Sequence, residues 1–136
     1  MIYLLDNNVI AETWRETPSE RVLVWLYAHE EECFLPVPVI AEIQAGAEAT
    51  PSAARRAAIN GKLDSLLLQY GQAILPWDMD TARTWGRLRH SPEVRRRPQP
   101  LWDSLIDALA VRHGATVATR NTQDFRHAPT LNPFTA

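Results

Sequence analysis

The side chains able to do chemistry in this chain are mostly acids set at the edges of apolar runs. Asp6 directly follows Ile2-Tyr3-Leu4-Leu5, and Glu42 falls in Ala41-Glu42-Ile43-Gln44-Ala45-Gly46. Asp103 and Asp107 stand four apart in Leu101-Trp102-Asp103-Ser104-Leu105-Ile106-Asp107-Ala108-Leu109-Ala110, an otherwise largely apolar stretch. Asn121 and Asp124 lie in Thr119-Arg120-Asn121-Thr122-Gln123-Asp124-Phe125. Carboxylate oxygens are hard ligands that suit Mg²⁺ or Mn²⁺. An ion held by them together with several waters can activate water and neutralise phosphate oxygens, so the chemistry within reach is metal-assisted hydrolysis of a phosphate ester.

Each of these acids has an ordinary alternative. Asp6 or Asn8 would serve equally as the N-cap of a following helix. Gly46 is one helical turn beyond Glu42 and leaves space beside the carboxylate, but a solvated surface glutamate would look the same. Asp103 and Asp107 share a helix face, which costs a few tenths of a kcal/mol unless a cation compensates. Alternatively, Asp103 favours the dipole at the helix start and Asp107 faces solvent. Asn121 and Asp124 are also common turn residues.

The elements that must position these groups follow from the spacing. An unalternating strand at Ile2–Leu5, central in a parallel sheet, ends at Asp6, where the ligand crevice of open α/β sheets lies. Helices are expected at Asn8–Trp14 and Ser19–His29, a strand at Cys33–Leu35 and a helix at Val39–Ala49 carrying Glu42. A long helix over Ser52–Tyr70, open to interruption at Asn60-Gly61, stops at Gly71; Ala73–Leu75 is a third strand and Asp78–Arg89 a helix. Ser91–Pro100, with its prolines and arginine run, reads as an exposed, mobile loop. Leu101–Arg112 is an apolar helix ended by Gly114, Ala115–Ala118 a fourth strand, and Ala128–Ala136 a candidate edge strand. Strands alternating with helices give a three-layer α/β/α fold around a mostly parallel sheet of four to five strands.

Composition narrows the function classes. A chain of 136 residues suffices for a core without staples, and the lone Cys33 permits neither an intrachain disulfide nor a cysteine-based zinc site. A reducing, cytoplasmic setting is expected, with no leader and no membrane span. The net charge of −2 excludes a generally basic nucleic-acid binder but not a local basic rim. Lys62 is the only lysine, and six arginines fall between Arg83 and Arg97. Arg83 and Arg87 are one turn apart, and Arg95, Arg96 and Arg97 are the candidates for RNA phosphates; ordinary solvated surface is the alternative. The five tryptophans are expected mostly in the core.

Taken in order, Leu4-Leu5-Asp6-Asn7-Asn8-Val9-Ile10, the Glu42 segment, Asp103 with Ile106–Ala110, and Thr119–Phe125 resemble the PIN-domain ribonuclease toxins of the VapC and FitB type. The likeness spans nearly the whole chain and implies a single PIN domain over residues 1–136. It implies an Mg²⁺-dependent endoribonuclease, the toxin of a toxin–antitoxin pair, with Mn²⁺ as an alternative ion and 3′-hydroxyl and 5′-phosphate products. The acidic cluster of the family maps onto Asp6, Glu42 and Asp103, with Asn121 at the fourth catalytic position and Asp107 and Asp124 as further metal candidates. Asn8, Thr119 and Arg120 would position ligands or substrate. A second ion, if bound, is expected about 3.5–4 Å from the first. The resemblance also implies a homodimer and a cognate antitoxin. Two departures stand out: Asn7 replaces the usual threonine, and Asn121 replaces the usual acid.

Two other readings compete. A PIN fold that has lost activity and only binds is conceivable because of Asn121. A haloacid dehalogenase-like phosphatase also has an aspartate after its first strand, but it expects a second where Asn8 stands and a late lysine, which this chain lacks.

Overall fold

The computed structural model describes residues 1–136. Five short strands, β1 (Tyr3–Leu5), β2 (Cys33–Pro36), β3 (Ile74–Leu75), β4 (Thr116–Ala118) and β5 (Thr130–Leu131), form one sheet ordered β3-β2-β1-β4-β5. Every pairing is parallel, with Tyr3 opposite Cys33 on one side and Leu4 opposite Val117 on the other. Parallel neighbours require crossovers, and seven helices supply them: α1 (Asn7–Thr13), α2 (Glu20–Ala28), α3 (Val37–Glu48), α4 (Ala53–Tyr70), α5 (Met79–Leu88), α6 (Pro92–Arg96) and α7 (Leu101–His113). The result is the three-layer α/β/α arrangement, with β1 central as its unalternating apolar run requires.

The core lies where the layers meet. Leu4, Leu5, Leu35 and Val117 of the strands are fully buried against Val9, Val39, Ile106 and Leu109 of α1, α3 and α7. Each such side chain contributes about 1.5–3 kcal/mol relative to exposure. The helices stop where glycine permits a left-handed residue: α7 ends at Gly114, with φ +62°, and α4 at Gly71, with φ +46°.

Four expectations need correction. Segment 91–100 is not an irregular loop throughout, because Ser91 and Pro92 form an N-cap and N1 pair that starts α6. The Ser91 hydroxyl accepts the Val94 amide at 3.3 Å, and Val94 is buried beneath the exposed arginines. Helix α4 runs unbroken through Asn60-Gly61, held by the buried Leu63 and Leu66. Of the tryptophans, only Trp25 is buried; Trp77, Trp85 and Trp102 instead line a surface groove of about 430 Å³ between α3, α5 and α7. Helix α3 also begins two residues early, since Pro38 is tolerated in a first turn.

Candidate functional site

Successive strands step away from β1 through β2 to β3, whereas β4 and β5 lie on its other side. The gap beyond the ends of β1 and β4 is therefore the switch point at which open α/β sheets bind ligands. Asp6 leaves β1 and Thr119 leaves β4 at that point, and the Asp6 amide donates to the Ala118 carbonyl at 3.0 Å.

Asp6 fills both roles open to it. Its Oδ1 accepts the Asn7 amide at 2.7 Å as the N-cap of α1. Its Oδ2 accepts the Thr119 hydroxyl at 2.7 Å and the Asn8 side-chain amide at 3.2 Å. Asn8 also donates to the Thr119 oxygen and accepts the Arg120 amide, so the β1 and β4 ends are sewn together. Burial raises the Asp6 pKa, bonds from Thr119, Asn7 and Asn8 oppose the rise, and the charge of Asp124 adds to it.

Glu42 and Asp103 arrive on α3 and α7, which pack against one another. The half-buried Glu42 has its Oε1 enclosed without a hydrogen-bond partner. Desolvation raises its pKa, the Asn7 amide lowers it, and the charge of Asp6 raises it further. Asp103 is pushed up to about 7, first by desolvation and then by the charges of Asp6, Asp124 and Glu42, with Arg126 opposing. Four carboxylates thus feel one another at one rim of the sheet. Ionised together they repel, and a cation would relieve that cost.

The remaining expected residues divide. Asp124 contributes its charge to this group, whereas Asn121 is exposed and offers only its backbone amide, which donates to the Thr119 hydroxyl at 3.0 Å. Asp107 does not join the acids. It is 1% exposed, and protein donors occupy both its oxygens: Gln99, His127 and the Arg126 amide on Oδ2, and the Ala128 amide on Oδ1. Thr119 is fully buried and orients the Asp6 carboxylate, not a substrate. The exposed Arg120 guanidinium lies over the Phe134 ring at 3.7 Å, which ties it to the C-terminal tail. Arg95, Arg96 and Arg97 are exposed. Sequence reasoning named Asn7 beside Asp6 but missed Arg126 as a neighbour of the acids, since nothing in its local spacing points to Asp103.

The donor chemistry fits a hard divalent cation, and the buried Glu42 Oε1 has no protein hydrogen-bond partner. As the side chains stand, however, no three His, Cys, Asp or Glu groups are gathered closely enough to hold an ion directly. Contact through water is consistent with that spacing and with the reluctance of Mg²⁺ to lose its hydration shell. The largest cavity, about 500 Å³, has a different character. Val9, Ile10, Leu26, Leu66 and Tyr70 of α1, α2 and α4 line it, and Glu30 is its one acidic residue.

Fold and sequence comparison agree on the class. The PIN domain family model matches residues 3–131, so this chain belongs to the PIN-domain family. Within it, the chain is 33% identical over 135 residues to VapC ribonuclease Y4jK of Sinorhizobium fredii, covering 96% of each. It is 32% identical to Toxin FitB of Neisseria gonorrhoeae, covering 90% of this chain and 89% of that one. The crystal structure of FitAcB from the same organism superposes with a TM-score of 0.84 at 30% identity, over 99% of this chain and 100% of its counterpart. The chain is thus a PIN-domain protein of the VapC and FitB toxin type. That membership leaves the phosphatase reading without support.

Proposed function

We propose that this protein is a divalent-cation-dependent endoribonuclease and the toxin of a toxin–antitoxin pair. The observation that carries the reading is the convergence of Asp6, Glu42, Asp103 and Asp124 at the β1/β4 switch point, with one buried carboxylate oxygen left unpaired. Likeness to a named VapC ribonuclease supports it.

Asp6, Glu42 and Asp103 would hold Mg²⁺ or Mn²⁺, in part through water, with Asp124 in the fourth position that Asn121 cannot fill as an acid. A bound cation would supply Lewis acidity for a scissile phosphodiester and for water. The chain's own residues do the rest. Thr119 and Asn8 fix the Asp6 rotamer, and the nearby Asn7 amide favours the ionised form of Glu42. Arg126 lowers the charge cost of ionising Asp103. Asp6→Ala and wild-type protein, assayed side by side on structured RNA with Mg²⁺, Mn²⁺ or EDTA, test this. Cleavage should need the ion and fall about 10²-fold or more in the variant, the scale set by losing a metal's anchoring charge. Equal cleavage by both proteins would contradict it.

The partners follow the same likeness: FitB is named a toxin, and FitAcB is among the superposing structures. By that likeness a cognate antitoxin and a second copy of the chain are the expected partners. A cytoplasmic setting suits the reduced Cys33, and no helix is long and apolar enough to cross a membrane.

A further inference from the structure

Asp107 has no place in the acidic group, yet it is among the most tightly held side chains in the molecule. Its Oδ2 accepts the His127 Nδ1–H at 2.7 Å, and the His127 Nε2 meets the Ser91 hydroxyl at 2.8 Å. The order acid, imidazole, hydroxyl is that of a nucleophilic triad. Here, however, the Ser91 oxygen is committed to capping α6, and neither Ser91 nor His127 lines any of the larger cavities. The chain of bonds instead joins three segments far apart in sequence. Gln99 donates both to Asp107 at 3.1 Å and to the Asp124 carbonyl at 2.9 Å. The Arg126 Nε donates to the Arg97 carbonyl at 3.4 Å, and Arg126 is the positive charge that Asp103 feels. Helix α6, with Arg95 and Arg96 on it and Arg97 at its end, is thereby tied to the turn that flanks the acids.

We propose that Asp107, His127 and Ser91 form a latch that seats the arginine-bearing α6 beside the acidic rim, presenting Arg95, Arg96 and Arg97 as a fixed cationic edge for RNA phosphates, while Gln99 holds the Asp124 turn independently. The three are positioning residues, since none touches the acids themselves. The latch rests on the ribonuclease reading for its ligand but not for its structure. A fixed edge binds more tightly than a loose one because the ordering cost of the arginines has already been met on folding. Its removal therefore weakens binding of RNA and spares the chemical step.

His127→Asn and Ser91→Ala separate the latch from the fold. An asparagine amide reaches the position of Nδ1 and still donates to Asp107, but it ends short of Ser91. Both variants should raise KM for RNA roughly five- to tenfold with kcat within about twofold, and flatten the log–log salt dependence of RNA binding by less than the roughly 2 that three single-strand phosphate contacts contribute. Amide exchange at residues 93–97 should accelerate in both. Ser91→Thr, which keeps the hydroxyl, should restore all three. Unchanged exchange in both variants would overturn the latch, and faster exchange with unchanged KM would overturn its link to RNA. A wild-type protein that cuts no RNA, alongside faster exchange in His127→Asn, would sink the ribonuclease reading while upholding the latch.

Discussion

Asp103 shows how burial beside other carboxylates carries an energetic cost to the fold. Without an ion it titrates near 7 in the folded chain and near 3.8 when unfolded. Between those values the unfolded chain has released a proton that the folded chain retains, so stability from this residue falls as pH rises from about 4 to 7 and then levels off. Asp103→Asn removes that loss. The first-turn dipole benefit that it also forfeits, about 0.3–1 kcal/mol, is smaller than a shift of this size even after screening at a half-exposed position. In EDTA at about pH 8, Asp103→Asn should melt higher, by about 3–6 °C per kcal/mol recovered, with a flatter stability profile between pH 4 and 7. A lower melting temperature would show that the residue is not strained by its neighbours. At this scale the sequence was informative wherever a side chain's role is local. Asp6 after β1 and Glu42 on α3 were legible from the runs around them. Asp107 was not, because Gln99 and His127 meet it only in the folded chain.

Elements were legible where periodicity and terminators agree, and less so where a few residues carry the signal. Gly114 and Gly71 mark the ends of α7 and α4 as expected, because both adopt positive φ. Helix α6 was obscured by its prolines, although Ser91-Pro92 is itself a helix start and Val94 supplies the buried anchor. Glycine in α4 behaves differently from glycine at α7's end, and chemical denaturation can show it. Gly114→Ala forces a side chain into the left-handed region and should cost about 1–2 kcal/mol. Gly61→Ala, exposed in the middle of α4 with nothing within 4 Å of the added carbon, should instead stabilise by about 0.5–1 kcal/mol. Equal effects of the two would mean that backbone conformation does not set the helix ends.

Across the whole molecule, the parallel order β3-β2-β1-β4-β5 is what brings residues more than a hundred positions apart to one rim. The alternation of strands and helices made that order accessible from sequence; the surfaces were not, because burial depends on what covers each helix. Three tryptophans that look like core in the sequence lie along a groove, and the arginine run sits outside on α6. With a net charge of −2 the protein has no general attraction for nucleic acid. Any salt-dependent RNA affinity must therefore come from a local patch. Replacing Arg95, Arg96 and Arg97 together with glutamine should reduce the salt slope of RNA binding by about 2, and an unaltered slope would place the phosphates elsewhere.

The convergence of acids on one cation is tested most directly by calorimetric titration of Mn²⁺ into wild-type, Asp6→Asn, Glu42→Gln and Asp103→Asn proteins in RNA-free buffer. Wild type should bind with measurable heat and release protons below about pH 7 as Asp103 ionises, and each variant should lose about tenfold or more in affinity, the scale of removing a group that holds or orients a metal. Identical Mn²⁺ affinity in all four proteins would contradict the shared site and, with it, the hydrolytic reading.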